Sequence, residues 1–184
     1  MWKIISISIL VIVAQGTNIE DFYGNWTHVA IYPASARAHV CMGFTFAKNP
    51  ENVQCTADGR NATFVEVSLT GEAGVLIERF SMPMLVVDTL ADVLPALNVS
   101  VRCGDRKHPD HGVARLVNES YFILYGKSKE SLRTATEPNT AYLFGKIVKS
   151  ADELNVIMTV IEDLKNRQGA QKCTTEIYGG YNRN

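Results

Sequence analysis

The side chains best suited to covalent chemistry in this sequence are its four cysteines: Cys41, Cys55, Cys103 and Cys173. A cysteine nucleophile must be a free thiolate, and zinc or redox cysteines commonly occur as a Cys-x-x-Cys pair. No such pair is present, and an even number of separated cysteines is typical of two disulfide bonds, for which three pairings are possible. The pattern therefore predicts structural cysteines and no thiol catalyst.

The other residues show no recognisable catalytic or metal-binding motif. His108 and His111 are separated by Pro109 and Asp110, which does not match a helical metal site and is typical of a solvated loop. The sequence also lacks Gly-x-Ser-x-Gly and a glycine-rich phosphate-binding loop. We therefore expect a protein that is not an enzyme and that holds no metal ion and no cofactor.

Composition indicates a folded domain rather than a nucleic-acid-binding chain. The 184 residues carry a formal net charge of −1, so no basic field attracts phosphate groups. Hydrophobic residues make up 46% and charged residues 20% of the chain, which is an ordinary globular balance. This length predicts a single domain.

The first 16 residues have the three parts of a secretory signal peptide. Lys3 supplies the positive start, residues 4–14 are apolar, and the segment ending at Gly16 is a small-x-small cleavage site. The apolar run is too short to span a bilayer, which takes about 20 residues. We expect removal of residues 1–16 and secretion of one domain, residues 17–184, with no stable membrane anchor.

Short segments of strand composition follow one another along the mature chain. Residues 63–69 are the clearest example, because Val65 and Val67 alternate with Glu66 and Ser68. Eight such segments can be counted: 26–32, 39–47, 63–69, 75–80, 84–90, 97–103, 121–125 and 141–148. Eight strands close a barrel that can hold one small ligand, although a β-sandwich shows similar short strands.

One amphipathic helix follows the last strand. Ser150 and Glu153 have the spacing of a capping box. Apolar residues then recur at helical intervals: Leu154, Ile157, Met158, Ile161 and Leu164. This pattern predicts a helix of roughly fifteen residues ending near Gly169. A lone helix with one apolar face must lie against the outside of the sheet, which favours a barrel over a sandwich.

The order of these elements, with Gly24-x-Trp26 opening the first strand, resembles the lipocalin family of secreted barrels. The family's second motif is a Thr-Asp-Tyr ahead of the seventh strand, and in this chain only Tyr121 is similar to it. The basic residue that packs over the tryptophan corresponds to Lys149, with Lys146 as the alternative. The resemblance is to a divergent, outlier-type, arthropod-like lipocalin. It implies an all-β fold, an eight-stranded antiparallel up-and-down β-barrel with one C-terminal α-helix packed outside.

The resemblance also implies how the cysteines pair. In an up-and-down barrel, Cys55 and Cys103 fall in connections at the closed end, and lipocalins commonly tie a cysteine near Cys41 to the C-terminal segment. We therefore expect Cys41–Cys173 and Cys55–Cys103. Four Asn-x-Ser/Thr sequons predict a glycoprotein, and the first lies close to the expected barrel floor: Asn25, Asn61, Asn98 and Asn118.

A lipocalin-like barrel implies a carrier of a small hydrophobic ligand such as a fatty acid, a pheromone or a retinoid, acting as a monomer or weak homodimer. The alternation of residues along the strands nominates the ligand-binding side chains: Tyr32, Phe44, Val65, Val67, Ile77, Val86, Val99, Phe122 and Phe144. Three alternatives remain. A biogenic-amine binder would need an inward carboxylate from Glu66, Glu78 or Asp88; a haem scavenger would use His28; a protein-interaction or inhibitor lipocalin would carry no small molecule.

Overall fold

A computed structural model of the chain describes residues 17–34, 40–51, 53–57, 59–71, 74–88, 100–108, 111–126, 140–161, 164 and 167–177. The expected signal peptide, the sequon at Asn98 and the candidate ligand-binding residue Val99 lie outside these residues. A 3-10 helix, Ile19–Phe22, precedes the first strand, and helix α1 spans Ala151–Val160. The strands are β1 (Gly24–Tyr32), β2 (Gly43–Lys48), β3 (Gln54–Ala57), β4 (Arg60–Thr70), β5 (Leu76–Val86), β6 (Val101–Cys103), β7 (Arg106–His108), β8 (Gly112–Asn118), β9 (Tyr121–Gly126), β10 (Thr140–Gly145) and β11 (Ala170–Gln171).

Seven of these strands form a closed ring. Around the ring, β1 pairs with β2, β2 with β4, β4 with β5, β5 with β8, β8 with β9, β9 with β10, and β10 with β1. Strands β3, β6 and β7 extend the sheet from β4 outside the ring, and β11 pairs with β1. The fold is therefore a closed β-barrel and not a sandwich.

The expected count of eight strands is wrong. Two of the expected strands are parts of one continuous strand, β5. Strand β5 covers residues that the pattern divides into 75–80 and 84–90, and it runs through Pro83. Proline has no N–H to donate to a neighbouring strand. Pairing of β5 with β8 begins only at Met84, one residue after Pro83. The edge of β5 that faces β8 is therefore still unpaired at the proline. The expected strand at 97–103 is represented in the described residues by the short β6, outside the ring. Strand β8, for which no strand is predicted from the sequence, completes the ring.

One pair of neighbours in the ring, β5 and β8, is parallel. Met84 lies opposite Gly112, and Val86 lies opposite Ala114. The other six ring pairs are antiparallel. A closed ring with an odd number of strands cannot alternate direction all the way round, so at least one pair must be parallel. The strict up-and-down order is therefore broken between β5 and β8.

The two faces of the barrel wall carry two separate apolar clusters. The buried members of the first, here called the interior cluster, are Phe22, Trp26, Phe46, Val65, Val67, Met84, Ala114, Phe122, Leu124 and Phe144. The second, the outer cluster, includes Tyr32, Val113, Ile123, Tyr125, Leu143, Leu154, Ile161 and Leu164. Strand β9 shows the alternation, because Phe122 and Leu124 belong to the interior cluster while Ile123 and Tyr125 belong to the outer one.

Helix α1 packs on the outside of the barrel through the outer cluster, as expected. The Ser150 hydroxyl accepts a hydrogen bond from the Glu153 amide, and the Glu153 carboxylate accepts one from the Ser150 amide at 3.3 Å. The helix has 10 residues, fewer than expected, because Ile161 adopts an extended conformation. Ile161 and Leu164 are still buried, so they cover the barrel wall beyond the helix end. Among the described helices, none has the length and apolar character needed to cross a membrane.

Both expected disulfide bonds are present. Cys41–Cys173 joins the segment before β2 to the segment after β11. Cys55–Cys103 joins β3 to β6, where the two cysteines are direct partners in the sheet. The second bond therefore fastens the part of the sheet that lies outside the ring.

Candidate ligand-binding site

One end of the barrel is closed by Trp26, which is only 2% exposed. Its Nε1 donates a hydrogen bond to the carbonyl oxygen of Phe22 at 2.7 Å, and its ring meets Phe122 edge-on with centroids 4.6 Å apart. Phe22, at the end of the 3-10 helix, also packs edge-on against Phe122. Gly24 has φ +113°, which side chains disfavour, so glycine lets the chain turn from the 3-10 helix into β1. We call this end the floor.

A lysine lies over the Trp26 ring. It is Lys146, whose Nζ is 4.8 Å from the ring centroid. Lys149, the residue that the family resemblance assigns first, instead forms an ion pair with Glu153 at 3.2 Å. The structure corrects this assignment to the alternative, Lys146, because β10 ends at Gly145 and the next residue emerges beside the floor.

The interior is tightly packed near the floor and less tightly packed further from the floor along β2 and β10. Phe46 and Phe144 are each at most 2% exposed, and Phe144 stacks on Phe122 with centroids 4.8 Å apart. Two positions further from the floor on the same strands, Phe44 and Tyr142 are only half-buried. We call this end the mouth, since an entering molecule would meet these two rings before the packed floor.

Six of the candidate ligand-binding residues belong to the interior cluster or pack against it: Phe44, Val65, Val67, Val86, Phe122 and Phe144. The structure thus brings together candidates from β2, β4, β5, β9 and β10. That they contact a ligand stays a prediction. Tyr32 and Ile77 are not part of this cluster.

A β-bulge turns Tyr32 away from the interior. The register of β1 against β10 shifts between His28 and Ala30, so Val29 is an extra residue on β1. Beyond it the alternation is reversed, and Tyr32 joins the outer cluster. The alternation counted from Trp26 predicts an inward Tyr32. This prediction is wrong because one inserted residue moves every later side chain of β1 to the other face. Burial raises the pKa of the Tyr32 phenol to about 12.

Ile77 lies at a β-bulge of β5, outside the interior cluster. Phe80 is the partner of Val67, an interior residue, so Phe80, Met82 and Met84 share the inward face. Glu78 pairs with Leu69 and Leu76 with Thr70, which leaves Ile77 as an extra residue without a partner on β4, and it is 60% exposed. The interior residue that β5 contributes most fully is Met84, which is completely buried.

His28 brings a polar group into the interior. Its ring centroid lies 5.4 Å from that of Tyr142, 5.6 Å from that of Phe144 and 6.3 Å from that of Phe44. The side chain is 4% exposed. Burial lowers its pKa from 6.5 to about 4, and the charge of Lys172 acts in the same direction. The imidazole is therefore neutral at neutral pH.

None of the three carboxylates considered for an amine site is enclosed in the barrel. Glu66 pairs with Ala47 and Ser81, on the outward face of β4, and lies 3.8 Å from Arg79. Glu78 is exposed, although it shares the inward face of β5. Asp88 is also exposed, and it accepts a hydrogen bond from the amide of Thr17. The described part of the chain contains no group of three or more His, Cys, Asp or Glu residues that could hold a metal ion.

Several interior residues are absent from the sequence-based candidates. Phe46 has the same alternation as Phe44 and could have been found from it. Ala114 lies on β8, a strand that the pattern does not predict, and Phe22 lies in the 3-10 helix before the first strand. Their inward positions depend on ring closure, which leaves no local mark in the sequence.

Three of the expected glycosylation sites can be located. The side chains of Asn25, Asn61 and Asn118 are exposed. Asn25, although next to the floor, accepts a hydrogen bond from the Thr45 hydroxyl at 2.7 Å on the outer surface. Occupancy of these sites by glycans stays a prediction.

Comparison with known proteins adds one structural likeness. No protein-family model and no curated protein sequence matches the chain. Its structure is similar to that of a major allergen of cockroaches, Per a 4, with a TM-score of 0.45 and 8% sequence identity, over 89% of this chain and 92% of that chain. The fold rests on the strand pairing itself, which is that of a closed seven-stranded β-barrel with a helix outside.

Proposed function

We propose that this protein is a divergent, secreted lipocalin that binds and carries a small hydrophobic ligand inside its barrel, without catalytic activity. The observation that carries the proposal is the interior cluster, which is apolar, rich in aromatic rings and closed at one end by Trp26. An apolar molecule that leaves water for such a surface gains about 25 cal/mol per Å² buried. Pockets of this kind usually bind ligands through apolar walls and a few placed polar groups.

Membership of the lipocalin family is supported by the arrangement at the floor. Gly24 makes the turn, Trp26 plugs the barrel and Lys146 lies over the indole. The helix that follows β10 packs outside the same wall. These features occur together although the ring has seven strands.

Secretion is supported by the two disulfide bonds. Disulfides persist in oxidising compartments and are rare in the cytosol. Both bonds use cysteines of the expected mature chain, Cys41–Cys173 and Cys55–Cys103. Exposed sequons at Asn25, Asn61 and Asn118 fit the same destination.

A biogenic-amine cargo is less well supported, because an ammonium group inside the barrel needs a carboxylate partner. Burying an unpaired charge is strongly unfavourable. Glu66 faces outward and Glu78 and Asp88 are exposed. A neutral apolar cargo therefore fits the described interior better.

The proposal is tested by adding a bulky ring to β5 inside the barrel and, separately, at an exposed position of the same strand. Met82 packs against the interior cluster, so Met82→Trp is expected to weaken binding of the fluorescent apolar probe N-phenylnaphthylamine by about tenfold, or about 1.4 kcal/mol. Ile77→Trp adds the same ring at the exposed bulge of β5, outside the interior cluster, and is expected to leave probe affinity unchanged. Equal effects of the two substitutions, or no binding by the wild-type protein, would argue against an interior site.

A further inference from the structure

His28 occupies an unusual position for a polar side chain. It lies on the inward face of β1, at the last pair before the bulge, opposite Phe144. Three aromatic rings from β2 and β10 surround it, those of Phe44, Tyr142 and Phe144. Phe44 and Tyr142 are only half-buried, whereas Phe144 is 2% exposed. The imidazole therefore stands between the floor and the mouth of the barrel.

The two nitrogens of His28 differ in their hydrogen bonding. The ring makes a hydrogen bond with the backbone at Ala30 that favours the protonated form, as expected where N–H donates to a carbonyl oxygen. Nε2 is buried and has no hydrogen-bond partner in the described part of the chain. The donor is therefore Nδ1, and Nε2 of the neutral ring carries the lone pair.

An acceptor without a partner in an apolar interior is costly. A buried polar atom that lacks a hydrogen bond has lost its bond to water and gained none in return, which destabilises the folded protein. A ligand that donates a hydrogen bond to Nε2 would recover this free energy, whereas a ligand with only acceptor atoms would not. The position thus distinguishes between classes of apolar ligand.

We propose that Nε2 of His28 accepts a hydrogen bond from a hydroxyl group of the ligand, so that the preferred cargo is an otherwise apolar alcohol or phenol. This inference rests on the proposed carrier function and specifies its ligand class. The hydroxyl lies against the imidazole, and the apolar body of the ligand contacts the aromatic rings of Phe44 and Tyr142.

Other polar groups fit this position less well. Ethers, ketones and esters offer only acceptors and leave Nε2 unpaired. An ionised carboxylate would place its negative charge against a lone pair inside an apolar wall, and an ammonium would lose its hydration without a carboxylate partner. A neutral hydroxyl supplies the missing proton at the lowest desolvation cost.

The test compares ligands that share a ten-carbon chain and differ in the polar group at its end. Decanol, its methyl ether and decanoate are titrated calorimetrically into the full mature protein. The wild-type protein is expected to bind decanol about fivefold more tightly than the ether, which corresponds to about 1 kcal/mol for a net hydrogen bond. Decanoate is expected to bind more weakly than decanol.

Two variants place the preference at His28. His28→Phe keeps an aromatic ring but removes the acceptor, so decanol and the ether are expected to bind equally. His28→Gln retains an amide oxygen as acceptor and is expected to keep part of the preference. Thermal unfolding shows whether each variant is folded. If His28→Phe does not fold, the comparison is made with His28→Gln alone.

The outcomes separate this inference from the proposed function. If the wild-type protein binds decanol and the ether equally well, or if the preference survives in folded His28→Phe, the carrier function stands and the hydroxyl anchor is wrong. If neither molecule binds, the proposed function fails and the anchor with it. A Soret band that forms on haemin addition and disappears in His28→Phe would assign Nε2 to iron instead and overturn the proposal.

Discussion

The ammonium group of Lys146 lies 4.8 Å from the centroid of the Trp26 ring, whose other contacts are with Phe22 and Phe122 at the floor. A cation over an indole ring is attracted by the negative face of the ring. Trp26 is 2% exposed, and Lys146, which is itself exposed, lies over the Trp26 ring. The pair joins the end of β10 to the start of β1 and so helps to close the barrel at its base.

Replacing this lysine should destabilise the floor. Lys146→Met removes the charge but keeps a similar chain length, and we expect the free energy of unfolding to fall by about 0.5–1 kcal/mol. Urea titration followed by the fluorescence of Trp26 measures the change. Lys149→Met is the matched control, since Lys149 makes a half-exposed ion pair with Glu153 and contributes little. A larger loss in Lys149→Met than in Lys146→Met would contradict the role assigned to Lys146.

The buried His28 should make stability depend on pH in a defined direction. Its pKa is about 4 in the folded protein and 6.5 as the reference, so the unfolded chain binds the additional proton first as pH falls. The stability associated with neutral His28 is therefore present above pH 6.5 and is lost as pH falls toward 4. The loss amounts to about 3 kcal/mol at about 1.4 kcal/mol for each pH unit of pKa difference.

The matched variant for the pH experiment is His28→Phe, which cannot titrate. Its unfolding free energy, measured in urea at several pH values, is expected to fall less steeply than that of the wild-type protein between pH 6.5 and 4. Carboxylates titrate in both proteins, so their contributions to the unfolding free energy cancel in the comparison. Parallel pH profiles would show that His28 is not the buried titrating group.

The two disulfide bonds should differ in how much they stabilise the fold. Cys41–Cys173 closes a separation of 132 residues and Cys55–Cys103 one of 48. In the chain-entropy description these loops correspond to about 5 and about 4 kcal/mol. We expect the paired substitution of Cys41 and Cys173 by alanine to lower the urea midpoint more than the same change at Cys55 and Cys103. The opposite order would indicate that Cys55–Cys103, which joins two paired strands, does more than restrict the unfolded chain.

The capping box of helix α1 offers a local test of how firmly the helix is held on the barrel. Ser150→Ala removes the hydroxyl that accepts from the Glu153 amide, and we expect a loss of about 1 kcal/mol. Ser150→Thr retains the hydroxyl, which also donates to the Glu153 carboxylate at 2.9 Å, and should keep most of this stability. Thermal unfolding monitored by circular dichroism measures both changes, and a Ser150→Ala variant as stable as the wild-type protein would mean that the cap is not stabilising.

Features that depend on neighbouring residues were readable from the sequence alone. The alternation around Val65 and Val67, the spacing from Ser150 to Glu153, and the glycine before Trp26 are local patterns, and the structure contains the strand, the cap and the floor that they predict. The cysteine count predicted two bonds, and the family resemblance added their pairing. These features follow from side-chain direction, backbone freedom and covalent chemistry, which act over a few residues or through a single type of bond.

The tertiary structure alone decided which strands meet and where each face changes. One extra residue at Val29 sends Tyr32 to the outer cluster, and the late start of pairing at Met84 lets β5 continue through Pro83. The end of β10 at Gly145 puts Lys146 rather than Lys149 over Trp26, and the enclosure of His28 by Phe44 and Tyr142 needs three strands in register. Register and ring closure are set by the summed packing of residues far apart in the chain, so no local stretch of sequence determines them.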